Sequence, residues 1–310
     1  MQIFDSCPIC KTKKISDFKK FGKSKLDRCS ICKIVFQNPQ PGIEELRRYY
    51  IESYLDSISS DGITQNYSYV KAAAEFHLTG IEKRYGKINS ILEVGCGKGQ
   101  FLSAAKELGY TVNGIEISQD GCRFAKSQFG LDIFNGTLEE FRTEKKFDLI
   151  IFNHSLEHLP DPLFAIRRSF ELLSKKGVVW IVLPNLSSTD RFVHGDKWDG
   201  WHLPYHLFHF NPKSLKYLLS RIPFSQIEIE KTFLSPVKIF KMFFGKEIGG
   251  KTTVSVAQID QVRMRQSRPF GHPYGKGIPY QAKNQLLKNL LRKPATFLFS
   301  GQNMTGFAVR

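Results

Sequence analysis

The feature that most constrains the fold is the stretch ILEVGCGKGQFL at residues 91–102. It joins an apolar run to a turn containing Gly95, Gly97 and Gly99, and then to the start of an amphipathic segment. Glycine adopts positive φ without strain and lets a ligand approach the main chain. A strand that enters a helix through such a turn points N–H groups at whatever binds there. The stretch therefore predicts a nucleotide-like ligand at the end of a buried strand.

The residues that follow alternate between strand and helix patterns. Strand patterns lie at residues 112–117, 131–134, 147–152 and 178–183, and helix patterns lie at residues 99–108, 118–129 and 162–176. The run FDLIIF at 147–152 is continuously apolar, as in a parallel strand buried on both faces. This alternation predicts an α/β fold with a doubly wound parallel sheet.

Three motifs, taken in order, resemble those of class I S-adenosylmethionine (SAM)-dependent methyltransferases. The first is the turn GCGKG at 95–99, and the second is Glu116, an acid that ends the next strand about 20 residues later. The third is the run FDLIIFNHSLEHLPDP at 147–162, followed by a helix and the strand GVVWIVLPN. An acid at this spacing also occurs in NAD-binding domains, but the SLEHLPDP run is not expected there. The resemblance covers residues 88–185 and implies a Rossmann-like, seven-stranded sheet that binds SAM at the carboxyl ends of its strands.

The resemblance also implies a set of cofactor-binding residues. The glycines of the turn would approach the methionine and ribose of SAM, and Glu116 would hold the ribose hydroxyls. Glu93 would orient the loop or the methionine amino group, and Asn153 would lie near the sulfonium or the methionine moiety. The segment 135–138 lies where the adenine is typically held in this family. The predicted cofactor-binding residues are Glu93, Gly95, Cys96, Gly97, Gly99, Glu116, Ile117, Gly136, Thr137, Asn153 and His154.

Four of the six cysteines form two CxxC pairs near the N-terminus, Cys7 with Cys10 and Cys29 with Cys32. This spacing matches zinc held in a tetrahedron by four thiolates, and four thiolates would close the site, as in a structural metal centre. The polar segment between the pairs suits a short hairpin that is too small to fold without the metal. The module, with VFQNPQP and a helix after it, is similar to the N-terminal module of bacterial methyltransferases that act on sugars or similar metabolites.

The chain is therefore predicted to contain a zinc-ribbon module at 1–42 and a helix with a linker at 43–66. The methyltransferase domain would occupy residues 67–310, and its first helix, at 67–85, would lie where the family usually places a lid. The resemblance further implies a sixth strand at 224–232 and an antiparallel last strand at 304–310. A basic insertion would then occupy residues 233–300.

The acceptor side is predicted from the run HGDKWDGWHLPYHLFHF at 194–210, which combines four histidines with five aromatic residues. In the resembled fold, the loop after the fifth strand lies beside the transferable methyl. A hydroxyl or activated-carbon acceptor must lose a proton, and histidine is the natural base near neutral pH. The candidate bases are led by His206 and His209, followed by His202, Tyr205 and His158. Alternatively, these imidazoles cap the next helix or satisfy buried polar groups. Zinc on these histidines is a further alternative, but no acid or cysteine completes a convincing ligand set.

The net charge of +16 is concentrated towards the C-terminus, where residues 231–310 hold 14 basic and two acidic residues. Such a bias suits phospholipid, a diphosphate-bearing substrate or nucleic acid, although a solvated basic face is the simpler interpretation. The leucine stripe at 282–293 predicts a basic amphipathic helix. It either packs its leucines on the sheet with solvated lysines outside, which is slightly favoured, or contacts an anionic membrane as part of the 233–300 region. The sequence has no secretory layout and no apolar run of about 20 residues. We therefore expect a cytoplasmic protein that can contact the inner membrane surface.

These observations predict an enzyme that moves a methyl group from SAM to an O or C atom of a small molecule. A sugar, nucleotide sugar or lipid-linked glycan is the favoured acceptor, and nucleic acid is a less favoured partner. The first alternative is an RNA methyltransferase with a zinc-ribbon RNA-binding module. Against it, NHSLEH stands where RNA enzymes that act on exocyclic amines often carry (N/D)PP(Y/F). The second alternative is a non-catalytic scaffold, and the intact glycine turn and Glu116 argue against it.

Overall fold

A computed structural model describes residues 1–42, 44–48, 61–233 and 300–310. In chain order, the strands are β1 (Ile15–Phe21), β2 (Ser24–Cys29), β3 (Val35–Gln37), β4 (Ser90–Val94), β5 (Thr111–Glu116), β6 (Phe134–Asn135), β7 (Phe147–Asn153), β8 (Leu173–Pro184), β9 (Phe208–His209), β10 (Gln226–Phe233) and β11 (Ser300–Val309). The main helices are α1 (Asp61–Tyr85), α2 (Gln100–Glu107), α3 (Gln119–Phe129), α4 (Pro162–Leu172), α5 (Thr189–His194) and α6 (Pro212–Leu219). Residues 44–48 are also helical.

A seven-stranded sheet forms the centre of the molecule. Its strand order is β10-β11-β8-β7-β4-β5-β6, and β11 runs antiparallel between β8 and β10. The other five strands are parallel to one another. The strand order reverses between β4 and β7, which is where sheets of this type bind ligands beyond their carboxyl ends. The predicted α/β fold with a doubly wound, seven-stranded sheet is confirmed.

Both faces of this sheet are covered, and β8 shows how. Its side chains alternate between two cores, with Trp180 on one face and Ile181 on the other. The Trp180 face packs against α1, through Leu78 for example, and against α2. The Ile181 face packs against α4, α6 and apolar residues of the N-terminal region, among them Phe36. Alternating burial on two covered faces explains the nearly continuous apolar sequence of the central strands.

The capping residues in the sequence correctly predicted where three of the helices begin. Ser118 caps α3 by accepting from the Gly121 N–H, and Asp161 caps α4 by accepting from the Phe164 N–H. Asn211 caps α6 in a capping box with Ser214. Proline occupies the first turn of both α4 and α6, where its missing N–H is harmless.

Other boundaries differ from the prediction. Helix α4 ends at Leu172 instead of residue 176, because Leu173 already pairs with Phe147 in the sheet. The third strand of the central sheet is β6 at 134–135 instead of 131–134. Helix α1 begins at Asp61, so the end of the predicted 43–66 linker is helical. It packs its buried residues on the sheet. The basic region between Phe233 and Ser300, including the predicted helix at 282–293, lies outside the described residues.

A second sheet of four strands has the order β1-β2-β3-β9. The hairpin of β1 and β2 confirms the hairpin predicted between the cysteine pairs. Strand β9 was not predicted, and it comes from the histidine-rich segment more than 160 residues further along the chain, pairing His209 with Val35. Hydrogen bonds from Gln37 N to Leu207 O (2.9 Å) and from Asn211 Nδ2 to Lys33 O (2.9 Å) extend the junction. The N-terminal sheet is thus completed by the predicted acceptor segment.

Candidate active site

The glycine turn after β4 is held by a close contact with the loop after β7. Ser155 Oγ donates to Val94 O at 2.6 Å. Gly95 has a φ of +72°, and a Cβ at this position would lie 2.7 Å from Ser155 Cβ. Any side chain at Gly95 would therefore push the two loops apart. Ser155 was missed by the sequence analysis, because a serine inside SLEHLPDP carries no local sign of this long-range contact.

Glu116, at the end of β5, braces the same turn. One of its carboxylate oxygens accepts from the Gly97 N–H at 2.7 Å, and the other accepts from the Ser118 N–H at 2.8 Å. Burial raises the pKa of Glu116, and these backbone N–H donors oppose the shift. The predicted adenine side is joined to β5 as well, since Gly136 N donates to Glu116 O at 3.0 Å and Asn135 Nδ2 donates to Ile117 O at 3.1 Å. The carboxyl ends of β4, β5 and β6 thus meet at one edge.

Glu93 and Cys96 are buried beside the turn. Burial, with a smaller effect from Glu116, raises the pKa of Glu93 from 4.5 to about 8. Glu93 Oε2 is buried and has no hydrogen-bond partner among the described residues. The thiol of Cys96 packs into the core, since a Cβ on Gly114 would lie 2.8 Å from its Sγ. Its main chain is hydrogen-bonded as well, since Cys96 N–H donates to Ile115 O at 3.1 Å and Cys96 O accepts from Gly99 N–H at 3.0 Å.

The segment after β7 lies beside the glycine turn. Asn153 Oδ1 is buried and makes no hydrogen bond within the described part of the chain. His154 has a φ of +53°, and its N–H donates to Val182 O at 2.8 Å. Its imidazole lies 3.3 Å from Asn303 Nδ2 on β11. Thr137, on the adenine side, donates its N–H to Glu140 Oε2 at 2.7 Å. The predicted cofactor residues thus line the carboxyl edge of four strands.

The predicted acceptor-side residues come together as one cluster. The ring centroids of His158 and His206 are 4.6 Å apart, and those of His202 and His206 are 5.0 Å apart. The Tyr205 ring lies 4.9 Å from His202, and His209 lies 6.2 Å from His206. The cluster unites the loop after β7 with the loop after β8.

Burial keeps the imidazoles of this cluster neutral near pH 7. It lowers the pKa of His158 to about 3, with His202 and His154 adding to the shift, and lowers the pKa of His209 to about 4. It also holds the pKa of His206 well below 6.5. His202 is exposed, and its pKa is lowered as well. Neutral imidazoles can accept hydrogen bonds or bind metals, but a low pKa makes them weak bases.

His209 lies too deep for the leading role predicted for it. It is 3% exposed, and its Nε2–H donates to Trp201 O at 3.1 Å. Its ring packs 5.2 Å from the Trp201 ring, and its main chain pairs with Val35. These contacts correspond to the alternative in which a histidine of this segment satisfies buried polar groups.

Glu157 is a second residue that the sequence analysis missed. It is 1% exposed, and neither carboxylate oxygen has a hydrogen-bond partner among the described residues. His154 Nδ1 lies 3.5 Å and His206 Nε2 lies 4.0 Å from Glu157 Oε1. The signal was available, since Glu157 precedes His158 directly, but nothing in the sequence placed it beside His206.

The four N-terminal cysteines are brought together as predicted. Cys7 Sγ lies 3.5 Å from Cys32 Sγ, and Cys10 Sγ lies 3.5 Å from Cys29 Sγ. All four sulfur atoms lie within 4.8 Å of one another. A tetrahedron of thiolates about 2.3 Å from zinc has edges of about 3.8 Å, so this group could hold the ion.

With this geometry in view, comparisons with known proteins identify the family. The family described as "Methyltransferase domain" matches residues 60–228, which is more than half of the chain. The chain belongs to this methyltransferase family. The match includes the glycine turn, the loop after β7 and the histidine cluster, so the site residues lie inside the family's domain. The predicted membership of the class I SAM-dependent methyltransferases is thus confirmed.

Individual relatives match shorter parts of the chain than the family does. A ubiquinone biosynthesis O-methyltransferase of Pelagibacter ubique is 32% identical over 100 residues, which are 31% of this chain and 42% of the relative. One of Bartonella bacilliformis is 28% identical over 158 residues, which are 49% of this chain and 56% of the relative. The chain therefore spans about half the length of the curated relatives it matches.

Solved structures agree with the fold. The plantazolicin methyltransferase BpumL, in complex with S-adenosylhomocysteine (SAH), aligns with a TM-score of 0.50 at 16% identity. The alignment covers 86% of this chain and 95% of that chain. The plantazolicin methyltransferase BamL aligns with a TM-score of 0.51 at 14% identity over 86% of this chain and 97% of that one.

Proposed function

We propose that the protein is a SAM-dependent O-methyltransferase that acts on a hydroxyl group of a small molecule. The observation that carries this proposal is the contact of Ser155 with Gly95. It ties the glycine turn of the predicted cofactor side to the loop that leads into the histidine cluster. A cofactor on the turn and an acceptor at the cluster would then share one crevice.

The residues around the turn suit SAM. The main chain of Gly95 is exposed, and the Glu116 carboxylate has lone pairs beyond the two that the backbone N–H groups engage. Glu93 Oε2 and Asn153 Oδ1 are buried acceptors that could take hydrogen bonds from the methionine amino group. When bound, SAM supplies a methyl carbon made electrophilic by its sulfonium.

The acceptor would lie against His202, Tyr205 and His206. His202 is exposed and Tyr205 is half-buried, so both can meet a molecule that enters from solvent. Their task is to align the hydroxyl oxygen for an in-line displacement, and alignment alone can supply much of the rate. A neutral imidazole can also accept a hydrogen bond from the hydroxyl.

Oxygen is favoured as the methylated atom by the names of the relatives, which are O-methyltransferases. Within this class, we favour a sugar, nucleotide sugar or lipid-linked glycan as the acceptor. The support is the cysteine-rich N-terminal module and the basic C-terminal sequence, which suits a diphosphate. Membrane contact through 233–300 and the RNA alternative rest on the same basic sequence and stay predictions. Among the described residues, no helix is long and apolar enough to cross a membrane.

We further propose that Cys7, Cys10, Cys29 and Cys32 hold a structural zinc ion. The distances between their sulfur atoms support this assignment. Zinc would keep the β1–β2 hairpin folded and so maintain the strand β3 on which β9 is paired. Its role would then be to support the acceptor segment and not to take part in methyl transfer.

The experiment that tests the activity is a transfer assay with SAM carrying a labelled methyl group. Nucleotide sugars, simple phenols and a short RNA would be offered in parallel, and label would be sought in each product. We expect label in a nucleotide sugar and SAH as the second product. Label in a phenol would support the proposed O-methyltransferase activity but change the class of acceptor. Label in RNA would instead support the RNA methyltransferase alternative and contradict the proposal. No label in any acceptor, together with no SAM binding, would contradict it.

A further inference from the structure

The buried carboxylate of Glu157 needs a partner that the hydrogen bonds of the described residues do not supply. Glu157 lies in the one-turn helix Leu156–His158 and is 1% exposed, and its two buried oxygens make no hydrogen bond to any residue that the structure describes. A buried ionised group is costly unless it is paired or coordinates a metal.

Two imidazoles complete a metal-ligand set around this carboxylate. One ligand atom each from Glu157, His158 and His206 lies within 4.8 Å of the other two. Ligand atoms about 2.1 Å from a tetrahedral ion lie about 3.4 Å apart, so small side-chain rotations would bring the three into coordination. The acid that the sequence analysis did not find for a histidine metal site is therefore Glu157.

The hydrogen bonds of both histidines match those of metal ligands. His158 Nδ1–H donates to Tyr205 O at 3.1 Å, and His206 Nδ1–H donates to Gly200 O at 2.9 Å. A backbone carbonyl only accepts, so each bond fixes the tautomer in which Nε2 carries the lone pair. Metal-ligating histidines are oriented by this kind of contact to a backbone carbonyl.

We infer that Glu157, His158 and His206 form a second metal site, for a Zn²⁺-like divalent cation, and that this ion binds the acceptor hydroxyl. Two imidazoles and one carboxylate are the ligands of catalytic zinc sites, in which three protein ligands leave a position open. The four-cysteine group, by contrast, would be closed. The assignment of the acceptor rests on the proposed function, whereas the metal site itself does not.

The position of this site fits methyl transfer to oxygen. Glu157 is two residues from Ser155, which contacts the glycine turn, and the exposed His202 connects the cluster to solvent. A divalent cation lowers the pKa of a hydroxyl that it binds. The hydroxyl proton would leave to solvent, and the oxygen would form the bond to the methyl carbon. The carbon–sulfur bond would break with its electron pair remaining on sulfur, which yields SAH.

The test is the zinc stoichiometry of the full chain, measured by elemental analysis after exhaustive dialysis against buffer with a trace of Zn²⁺. The wild type should hold two ions per chain. Glu157→Gln and His206→Gln, which keep a side chain of similar size, should each hold one ion, or bind the second more than about 100-fold more weakly. Even the loss of a residue that only hydrogen-bonds a metal ligand costs about 10–100-fold in affinity. The control is His194→Ala, an exposed histidine outside the cluster, which should hold two.

Cobalt substitution locates the ions without using activity. Co²⁺ bound by thiolates gives strong charge-transfer absorption, and Co²⁺ bound by nitrogen and oxygen gives only weak bands. Glu157→Gln should lose the weak bands and keep the strong ones. One zinc per chain in the wild type with intact thiolate absorption, or two in Glu157→Gln, would overturn the inference. Titration of each variant with SAM reports the folding of the cofactor side separately. One zinc ion per chain with intact SAM binding would contradict only the metal site, whereas absent SAM binding in the wild type would contradict the methyltransferase proposal.

Discussion

At the scale of single residues, the contact of Gly95 with Ser155 gives the sharpest test of the cofactor side. Gly95→Ala would place a methyl 2.7 Å from Ser155 Cβ at a φ of +72°. The left-handed conformation alone costs a non-glycine residue about 1–2 kcal/mol, and the contact adds displacement of the loop. We expect SAM affinity, measured by isothermal titration, to fall at least about tenfold, which corresponds to about 1.4 kcal/mol.

The matched control is Gly109→Ala. Gly109 has a φ of +96°, but no atom of the described residues would lie within 4 Å of a Cβ at this position. It should therefore lose about 1–2 kcal/mol of stability and keep its affinity for SAM. Equal losses of affinity in both variants would show that backbone strain, and not the loop contact, is responsible.

The raised pKa of Glu93 predicts that the contribution of this group to stability falls as pH rises. Its folded-state pKa of about 8 lies above the ordinary 4.5, so the native state keeps a proton that the unfolded state loses between these values. Stability contributed by this group is therefore complete below about pH 4.5 and is lost as pH rises towards 8. Glu93→Gln removes this dependence, so the variant should gain stability relative to wild type between pH 5 and pH 8. Urea unfolding at both values measures the difference, and an equal difference at the two would refute the prediction.

At the scale of elements, the pairing of β9 with β3 makes the N-terminal sheet a support for the predicted acceptor segment. Trp198 and Trp201 are buried against Leu26 and Val35 of the N-terminal sheet. Removal of the proposed zinc ion by a strong chelator should unfold the hairpin, expose both indoles and shift their fluorescence to longer wavelength. SAM affinity should be retained, because the glycine turn belongs to the other sheet.

Two variants identify the source of this fluorescence change. Trp201→Phe should lose much of the shift, whereas Trp180→Phe should keep it, because Trp180 lies in the central sheet. If chelation removes zinc without any shift, the acceptor segment does not depend on the module.

Sequence pattern predicted the elements that depend on neighbouring residues. The glycine turn, the acid at the end of β5 and the caps at Ser118 and Asn211 are local signals, and the structure has them where they were expected. Strand β8 starts earlier than predicted because its first residue, Leu173, pairs with Phe147 on the neighbouring strand. This pairing outweighs the helix propensity on which the prediction depended.

The parts that the sequence could not supply arise from distant contacts. The β9–β3 pair joins residues more than 160 positions apart, and its two-residue strand has no pattern of its own. The importance of Glu157 comes from burial and from His206, which lies on another loop. The same holds for Ser155 and the Gly95 backbone. The roles of such residues can be recognised only from the folded structure, in which the loops lie together.

At the scale of the whole molecule, two sheets support the candidate site. The central sheet positions the glycine turn, Glu116 and Ser155, and the N-terminal sheet holds the histidine segment through β9. A cofactor side and an acceptor side with separate supports predict that SAM can bind without the acceptor. They also predict that a substitution that abolishes acceptor binding can leave SAM binding intact, and the reverse.

We propose that the turn at Gly95 to Gly99 binds SAM for methyl transfer. The most direct measurement is isothermal titration of the folded full chain with SAM, followed by displacement with SAH. We predict one SAM per chain, competition by SAH for the same site, and strongly weakened binding in Gly95→Ala. A chain that is folded by circular dichroism and shows no binding of either SAM or SAH would contradict the account.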